Sequence, residues 1–161
     1  MDTLLCRDKM SQLLAEESGG LVQLAELLER EHGLLQAGDV VHLQAAINER
    51  QRCVGRIVRV DEERRALCRA RNLPLNAEGL AALLRWCDPD GILSNRWVEC
   101  EAAAKRCRQL NDRNGALVSS QLQHVRARLS TLLKNGRETL TYRPNGGYSQ
   151  GTLGRMLTTE A

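Results

Sequence analysis

The first part of the chain carries apolar side chains at helical spacing. Over residues 3–36 they recur at steps of three, four or seven, which marks one face of an amphipathic helix. These apolar residues are Met10, Leu14, Leu21, Leu24, Leu28 and Leu35. Gly19 and Gly20 lie inside the stretch, and each costs about 1 kcal/mol relative to Ala, so we expect a bend or a frayed turn there. Gly38 ends the helix and Asp39 can cap the next one, which predicts a tight helical hairpin.

A second long helix is predicted over residues 40–71, antiparallel to the first because the connecting turn is so short. Its predicted buried side consists of Val40, Leu43, Ile47, Val54, Ile57, Val58 and Leu67. Asn72 and Pro74 end it, and Asn76 can cap a short third helix. That short helix presents Leu80, Leu83, Leu84 and Cys87, and the Asp88-Pro89-Asp90-Gly91 turn stops it.

From Ile92 to Lys134 the pattern predicts another long helix, which begins as a coiled-coil-like seam. The seam residues are Leu93, Trp97, Cys100, Ala104 and Cys107. At the same steps its second half mixes polar with apolar residues, as expected if a partner covers part of the stripe. We therefore predict an all-α protein, with a helical domain over residues 1–134 and a flexible tail over 135–161 that is rich in Gly, Ser and Thr.

Composition narrows the function classes. The formal net charge is only +3, and acidic residues interleave the arginines of the second long helix, so we expect no nucleic-acid partner. No apolar run is long enough for a signal peptide or a membrane span, which indicates a cytoplasmic protein without membrane insertion. The six cysteines show no CxxC pair and are predicted to be free thiols packed in the core.

One pattern suggests catalysis. Glu29 and His32 are three residues apart on the first helix, which is the spacing that di-iron bundles use. Such a site needs a second Glu-x-x-His unit and two further carboxylates, and neither His42 nor His124 follows a glutamate at that spacing. We therefore predict no metal, no cofactor and no catalytic residues, and interpret Glu29 and His32 as surface residues.

Asn114 and Gly115 interrupt the third long helix, because a glycine inside a helix weakens it unless close packing or a partner requires the missing side chain. An apolar groove beside an incomplete seam is a natural docking site for another helix. The sequence leaves open whether Gly115 is a tolerated defect or is required by a partner.

Three stretches of the second half resemble the FlgN-like chaperones, which escort hook-filament junction subunits to the flagellar export machinery. The first is Arg96-Trp97. The second is Leu110-Asn111-Asp112-Arg113-Asn114-Gly115, which runs into Leu117-Val118 and Gln121-Leu122. The third is the tail segment Thr139-Leu140-Thr141-Tyr142-Arg143-Pro144-Asn145-Gly146, in which Arg143 stands where the family's motif has a glycine.

The resemblance implies an all-helical, cytoplasmic export chaperone that binds the C-terminal helical segment of the junction proteins FlgK and FlgL. The implied client-binding residues are Asn114, Gly115, Leu117, Val118, Leu122, Val125, Leu129 and Leu132. Tyr142 matches the family tyrosine that is linked to docking at the cytoplasmic domain of the export gate.

Two other functions remain as alternatives. A generic coiled-coil assembly or adaptor protein would self-associate through the third long helix, and the sequence does not decide the oligomeric state. A metal-dependent helical-bundle enzyme built around Glu29 and His32 would contain stoichiometric iron or manganese.

Overall fold

The computed structural model describes residues 2–138, and all regular secondary structure in this range is helical. The helices are α1 (Thr3–Ala37), α2 (Val40–Ala70), α3 (Ala77–Cys87) and α4 (Ile92–Glu138). This architecture confirms the predicted all-α fold, although α4 continues to Glu138 rather than ending at Lys134. The chain divides into an N-terminal unit, residues 1–115, and a C-terminal unit, residues 116–161. The predicted tail lies almost entirely outside the described residues, and its flexibility stays a prediction.

The turn between α1 and α2 has the predicted chemistry. Gly38 has a φ of 68°, a left-handed conformation in which a Cβ is disfavoured. The amides of Gly38 and Asp39 donate to the carbonyls at the end of α1, those of Leu35 and Leu34. Asp39 then caps α2, because its carboxylate accepts a hydrogen bond of 3.2 Å from the His42 amide.

The frayed turn expected at Gly19 and Gly20 is absent, and α1 continues unbroken through both glycines. Gly20 lies against α2. A Cβ at this position would lie 2.9 Å from Cγ1 of Ile57, and the Cys53 thiol donates to the Gly20 carbonyl across 3.3 Å. The glycine is therefore explained by helix packing, since the contact leaves no room for a side chain.

The predicted buried face of α2 was partly wrong. Val40, Val54 and Val58 are exposed, whereas the buried residues of α2 are Ala46, Cys53, Val60 and Cys68. The first three of these are seven residues apart, and the middle one, Cys53, contacts α1 at Gly20. Close approach of two helices favours small side chains at the contact, and a pattern based on the largest apolar residues overlooked this line.

Two glutamates of α1 are buried and each is paired with an arginine of α2. Glu31 accepts from Nε of Arg50 at 2.7 Å, and Glu17 forms an ion pair with Arg64. The other arginines of α2 mostly pair with acids on the surface, as in the pairs Arg65 with Asp61 and Arg69 with Glu62. The predicted interleaving of charges is therefore confirmed, and three arginines of α2 also join it to α1, since Arg56 donates to Gln23.

The short helix α3 closes one end of the core by packing against α1 and α2. Its buried residues are the predicted Leu80, Leu83, Leu84 and Cys87, together with Gly79. The Asn76 side chain caps α3 by accepting from the Gly79 amide at 3.0 Å. The carboxylate of Asp88 in the following turn accepts from the Leu93 amide at 2.6 Å, which fixes the start of α4.

Candidate functional site

Three side chains of α4 each donate a hydrogen bond to a main-chain carbonyl of α1. The pairs are Cys100 with Leu14 at 3.7 Å, Cys107 with Leu21 at 3.3 Å, and Asn114 with Leu28 at 2.8 Å. The two partners are 86 residues apart in every pair. A constant difference means that this part of α4 runs parallel to α1, and we call the three bonds the α1/α4 ladder.

Asn114 is the last rung of the ladder within the N-terminal unit, and its side chain is 5% exposed. Its amide nitrogen donates to the Leu28 carbonyl, and its oxygen accepts from Nδ1 of His32 at 3.0 Å. Both polar atoms are thus used inside the protein. The structure therefore gives the first predicted client-binding residue a role in joining α4 to α1.

Gly115, the next predicted residue, is exposed, and a Cβ built on it would meet no atom within 4 Å. Packing within the described residues therefore does not account for a glycine at this position. A helix-weakening residue without an internal packing reason is consistent with a requirement from outside the chain, as the sequence had left open.

The C-terminal unit carries an uncovered apolar stripe. Its members follow one another at steps of four, three, four and three, and their exposure rises from 39% at the first to 67% at the last. We name this set the distal stripe, and it comprises Val118, Leu122, Val125, Leu129 and Leu132. Leu117 beside it is half-buried. The steps are those of a coiled-coil seam, so the stripe has the geometry to receive another helix.

The charges beside the distal stripe are basic. Between residues 116 and 133 the charged residues are Arg126 and Arg128, and this stretch contains no Asp or Glu. Basic residues at the edge of an apolar stripe favour a partner helix with acidic residues beside its own apolar face.

Glu29 and His32, the candidate metal ligands, point to different partners. Glu29 accepts from Arg113 at 2.8 Å, and this hydrogen bond is the main cause that lowers the pKa of the carboxyl group. His32 donates to Asn114. Among residues 2–138 no group of three or more His, Cys, Asp and Glu side chains has an arrangement that could hold a metal ion. Both residues instead help to position α4 against α1.

All six cysteines are buried free thiols, which confirms their predicted packing in the core. Sequence reasoning did not find that two of them form rungs of the ladder. A signal was present, because Leu93, Cys100, Cys107 and Asn114 are spaced by seven, as are Leu14, Leu21 and Leu28 of α1. Tyr142, the predicted export-gate residue, lies outside the described residues.

The comparison with family models identifies the family of this chain. The family model described as FlgN protein matches residues 1–150. The chain belongs to the FlgN family. FlgN proteins are flagellar export chaperones, so binding of flagellar proteins is the general activity that membership implies.

Other comparisons add nothing to the FlgN assignment, since no curated protein and no solved structure matched the chain. Within the described part of the chain, every helix is too short or too polar to cross a membrane.

Proposed function

We propose that this FlgN-family protein is a cytoplasmic chaperone that binds the C-terminal helical segment of the junction proteins FlgK and FlgL, keeps them soluble and delivers them to the export gate. The observation that carries the proposal is the distal stripe, an apolar coiled-coil seam whose five members are all solvent-exposed.

The stripe is suited to an amphipathic helix. Residues at steps of four and three lie along one side of α4, so a client helix with the same periodicity can place its apolar side chains between them. Leu122, Val125 and Leu129 are each about half exposed and form the middle of the stripe. Their burial would shield the client's apolar face from aggregation, which is the task of an export chaperone.

Gly115 and the arginines beside the distal stripe, Arg126 and Arg128, add specificity to this proposal. A missing side chain at Gly115 allows a partner backbone to approach α4 closely at the start of the stripe. Arg126 and Arg128 select against a client helix with basic flanks, because like charges at an interface disfavour the wrong partner. Asn114 contributes indirectly in this scheme, by holding α4 on α1.

Delivery is assigned to the tail. By the family likeness, Tyr142 docks at the cytoplasmic domain of the export gate, and the client is released when the gate or the next binding partner competes for it. No covalent bond is made or broken in this transfer. Only the difference in affinity for the client between the chaperone and its competitor can therefore drive release.

The test is calorimetric titration of the full chain with C-terminal peptides of FlgK and FlgL. Leu122→Asp and Leu129→Asp should abolish micromolar binding, because each introduces a charge into the apolar interface. Both residues are more than half exposed, so the variants should fold. Val98→Asp is the matched control, since Val98 is 61% exposed on α4 but belongs to the N-terminal unit. Binding that survives both stripe variants would reject the proposal.

Truncation after Lys134 separates the two tasks. The truncated chain should bind the client peptides as the full chain does, because the distal stripe remains. It should no longer bind the cytoplasmic domain of the export gate, because the truncation removes Tyr142. Retention of gate binding would remove the assigned role of this tyrosine.

The same stripe supports one competing function. A seam with coiled-coil steps can also pair with a second copy of itself, as a generic assembly or adaptor protein would require. Sedimentation of the protein with and without client peptide distinguishes the two. The chaperone proposal requires that the peptide binds and that any self-association through the stripe gives way to it.

A further inference from the structure

A second apolar surface lies in the N-terminal unit between α2 and α4, where no further helix of the described residues covers it. Its floor is formed by Leu21, Leu24 and Leu28 of α1, and Val54 and Val58 of α2 stand on one side. Ala104 and Asn111 of α4 lie on the other side, and the open groove has a volume of about 280 Å³. We name this surface the α2/α4 groove.

The α2/α4 groove and the cleft beside α3 lie along the same faces of α2 and α4. On α2, Val54 lines the groove, while Asp61 and Cys68, at further steps of seven on the same face, line the cleft beside α3. On α4, Ala104 lies seven residues beyond Trp97, which lines that cleft too. The same faces of α2 and α4 are therefore covered by α3 at one end of the unit and uncovered at the other.

A stacked pair of side chains separates the covered part from the open part. The Arg64 guanidinium lies over the Trp97 ring, 4.4 Å from its centre. Since α3 has only eleven residues and α1 has 35, the short helix cannot extend along the whole groove. About two turns of helix correspond to the open length between Leu21 and Leu28, at 1.5 Å per residue.

The charges at the rim define the chemistry of an occupant. Arg108 lines the groove, is exposed, and forms no ion pair with any residue in the described range. Arg50 lines it on the α2 side, and its Nε is bound to Glu31 on α1. An apolar floor between two guanidinium groups matches a helix that carries apolar residues on one face and a carboxylate beside them.

We propose that the α2/α4 groove is a docking site for a short acidic amphipathic helix of a partner protein, which lies end to end with α3 and completes a four-helix bundle. The site is separate from the distal stripe and does not depend on which client the stripe binds. It also gives a function to Val54 and Val58, which are apolar and exposed although other apolar residues of α2 are buried in the core.

The probe is a synthetic stapled helix of about three turns with leucines at positions i, i+3, i+4 and i+7 and glutamates beside them. Its twin carries lysines in place of the glutamates. Binding of each to the full chain is measured by fluorescence anisotropy of a dye on the peptide. The acidic helix should bind at least about tenfold more tightly than the basic twin, and Arg108→Glu should reverse that preference.

Two variants locate the binding site. Val58→Glu should weaken binding of the acidic helix at least about tenfold, while Val98→Glu should leave it unchanged; both valines are 61% exposed, so neither change disturbs the core. The chain carrying Leu122→Asp and Leu129→Asp should bind the probe as the wild type does. This measurement distinguishes failure of the groove proposal from failure of the proposal that the distal stripe binds the client.

Three results would overturn the proposal. They are no binding of the acidic helix, binding that is insensitive to Val58→Glu, and binding that is lost with the stripe variants. Sedimentation adds a fourth, because self-association of the wild type that Val58→Glu abolishes would assign the groove to a second copy of this chain.

Discussion

Asn114 donates its side-chain amide to the main-chain carbonyl of Leu28 across 2.8 Å, in the same register in which Cys107 reaches Leu21. A thiol and an amide thus serve the same purpose at successive heptads of α4. The amide is the more demanding group, because a buried polar side chain without a partner is costly. The ladder therefore depends on Asn114 more than on either cysteine.

Asn114→Ala should destabilise the N-terminal unit by about 1–2 kcal/mol, because the hydrogen bond to Leu28 is lost and His32 loses its acceptor. Urea denaturation measures the change. Asn111→Ala is the control, since Asn111 is exposed and the same substitution there changes mainly helix propensity, by up to about 0.7 kcal/mol in favour of Ala. Equal stabilities for the two variants, with client binding weakened only by Asn114→Ala, would contradict a structural role.

Gly19 and Gly20 should respond differently to alanine. Gly19→Ala should stabilise the protein by about 1 kcal/mol, because no atom lies within 4 Å of the added Cβ and a helix interior favours Ala. Gly20→Ala should give no gain and should destabilise instead, since its Cβ would lie 2.9 Å from Ile57.

A double-mutant cycle checks that cause. Ile57→Ala should cost less in the Gly20→Ala background than in the wild type, because the two changes share one contact. Additive free energies of unfolding for this pair would show that Ile57 is not the obstacle.

Gly115→Ala should separate stability from binding. The open surroundings of Gly115 allow a methyl group, so α4 should gain up to about 1 kcal/mol of helix stability. Affinity for FlgK and FlgL peptides should fall, because a close approach of the client backbone at this position would be blocked. Thermal unfolding and calorimetric titration measure the two effects, and unchanged affinity would mark Gly115 as a tolerated defect.

Cys6 should be almost unreactive in the folded protein. Burial, with the neighbouring Cys87 thiol as the next cause, raises the pKa of Cys6 from 9.0 to about 12. Iodoacetamide at pH 9 should therefore label Cys6 only after urea unfolds the chain, and peptide mass spectrometry reads out the site. Fast labelling of the native protein at this cysteine would show that the first turns of α1 open readily.

The same shift makes stability depend on pH at the alkaline end. Because the pKa of Cys6 is higher in the folded than in the unfolded state, its contribution is complete below about 9 and is lost as the pH rises towards 12. The difference in unfolding free energy between the wild type and Cys6→Ala should shrink over this range. A difference that is constant from pH 8 to pH 10.5 would contradict it.

The caps between α1 and α2 and at the start of α3 followed from local chemistry, and so they were predictable, unlike the end of α4. Gly38, Asp39 and Asn76 act on the few residues next to them, and the structure uses each as the sequence predicted. The apolar face of α1 was also predictable, because a helix that packs against several others buries its large residues.

The faces of α2 and α4 were harder to predict, because they depend on helix pairing. Small residues at steps of seven, such as Ala46 and Cys53, are buried only because α1 lies close to them. Asn114 was predicted to bind the client, whereas the structure buries it. Its burial depends on Leu28 and His32, which are more than eighty residues away in sequence. The members of the distal stripe were named through the family resemblance, because the seam predicted from spacing continued into polar residues. The α2/α4 groove needed three helices in place.

The two tryptophans make the N-terminal unit optically distinct. Trp86 and Trp97 are the only tryptophans of the chain, and each lies beneath an arginine, Arg71 at 3.9 Å and Arg64 at 4.4 Å. Both precede residue 116, so a fluorescence melting curve follows the N-terminal unit, whereas far-ultraviolet circular dichroism sums over every helical turn. Subtracting one normalised curve from the other gives the unfolding of the client-binding part of α4 without any added label.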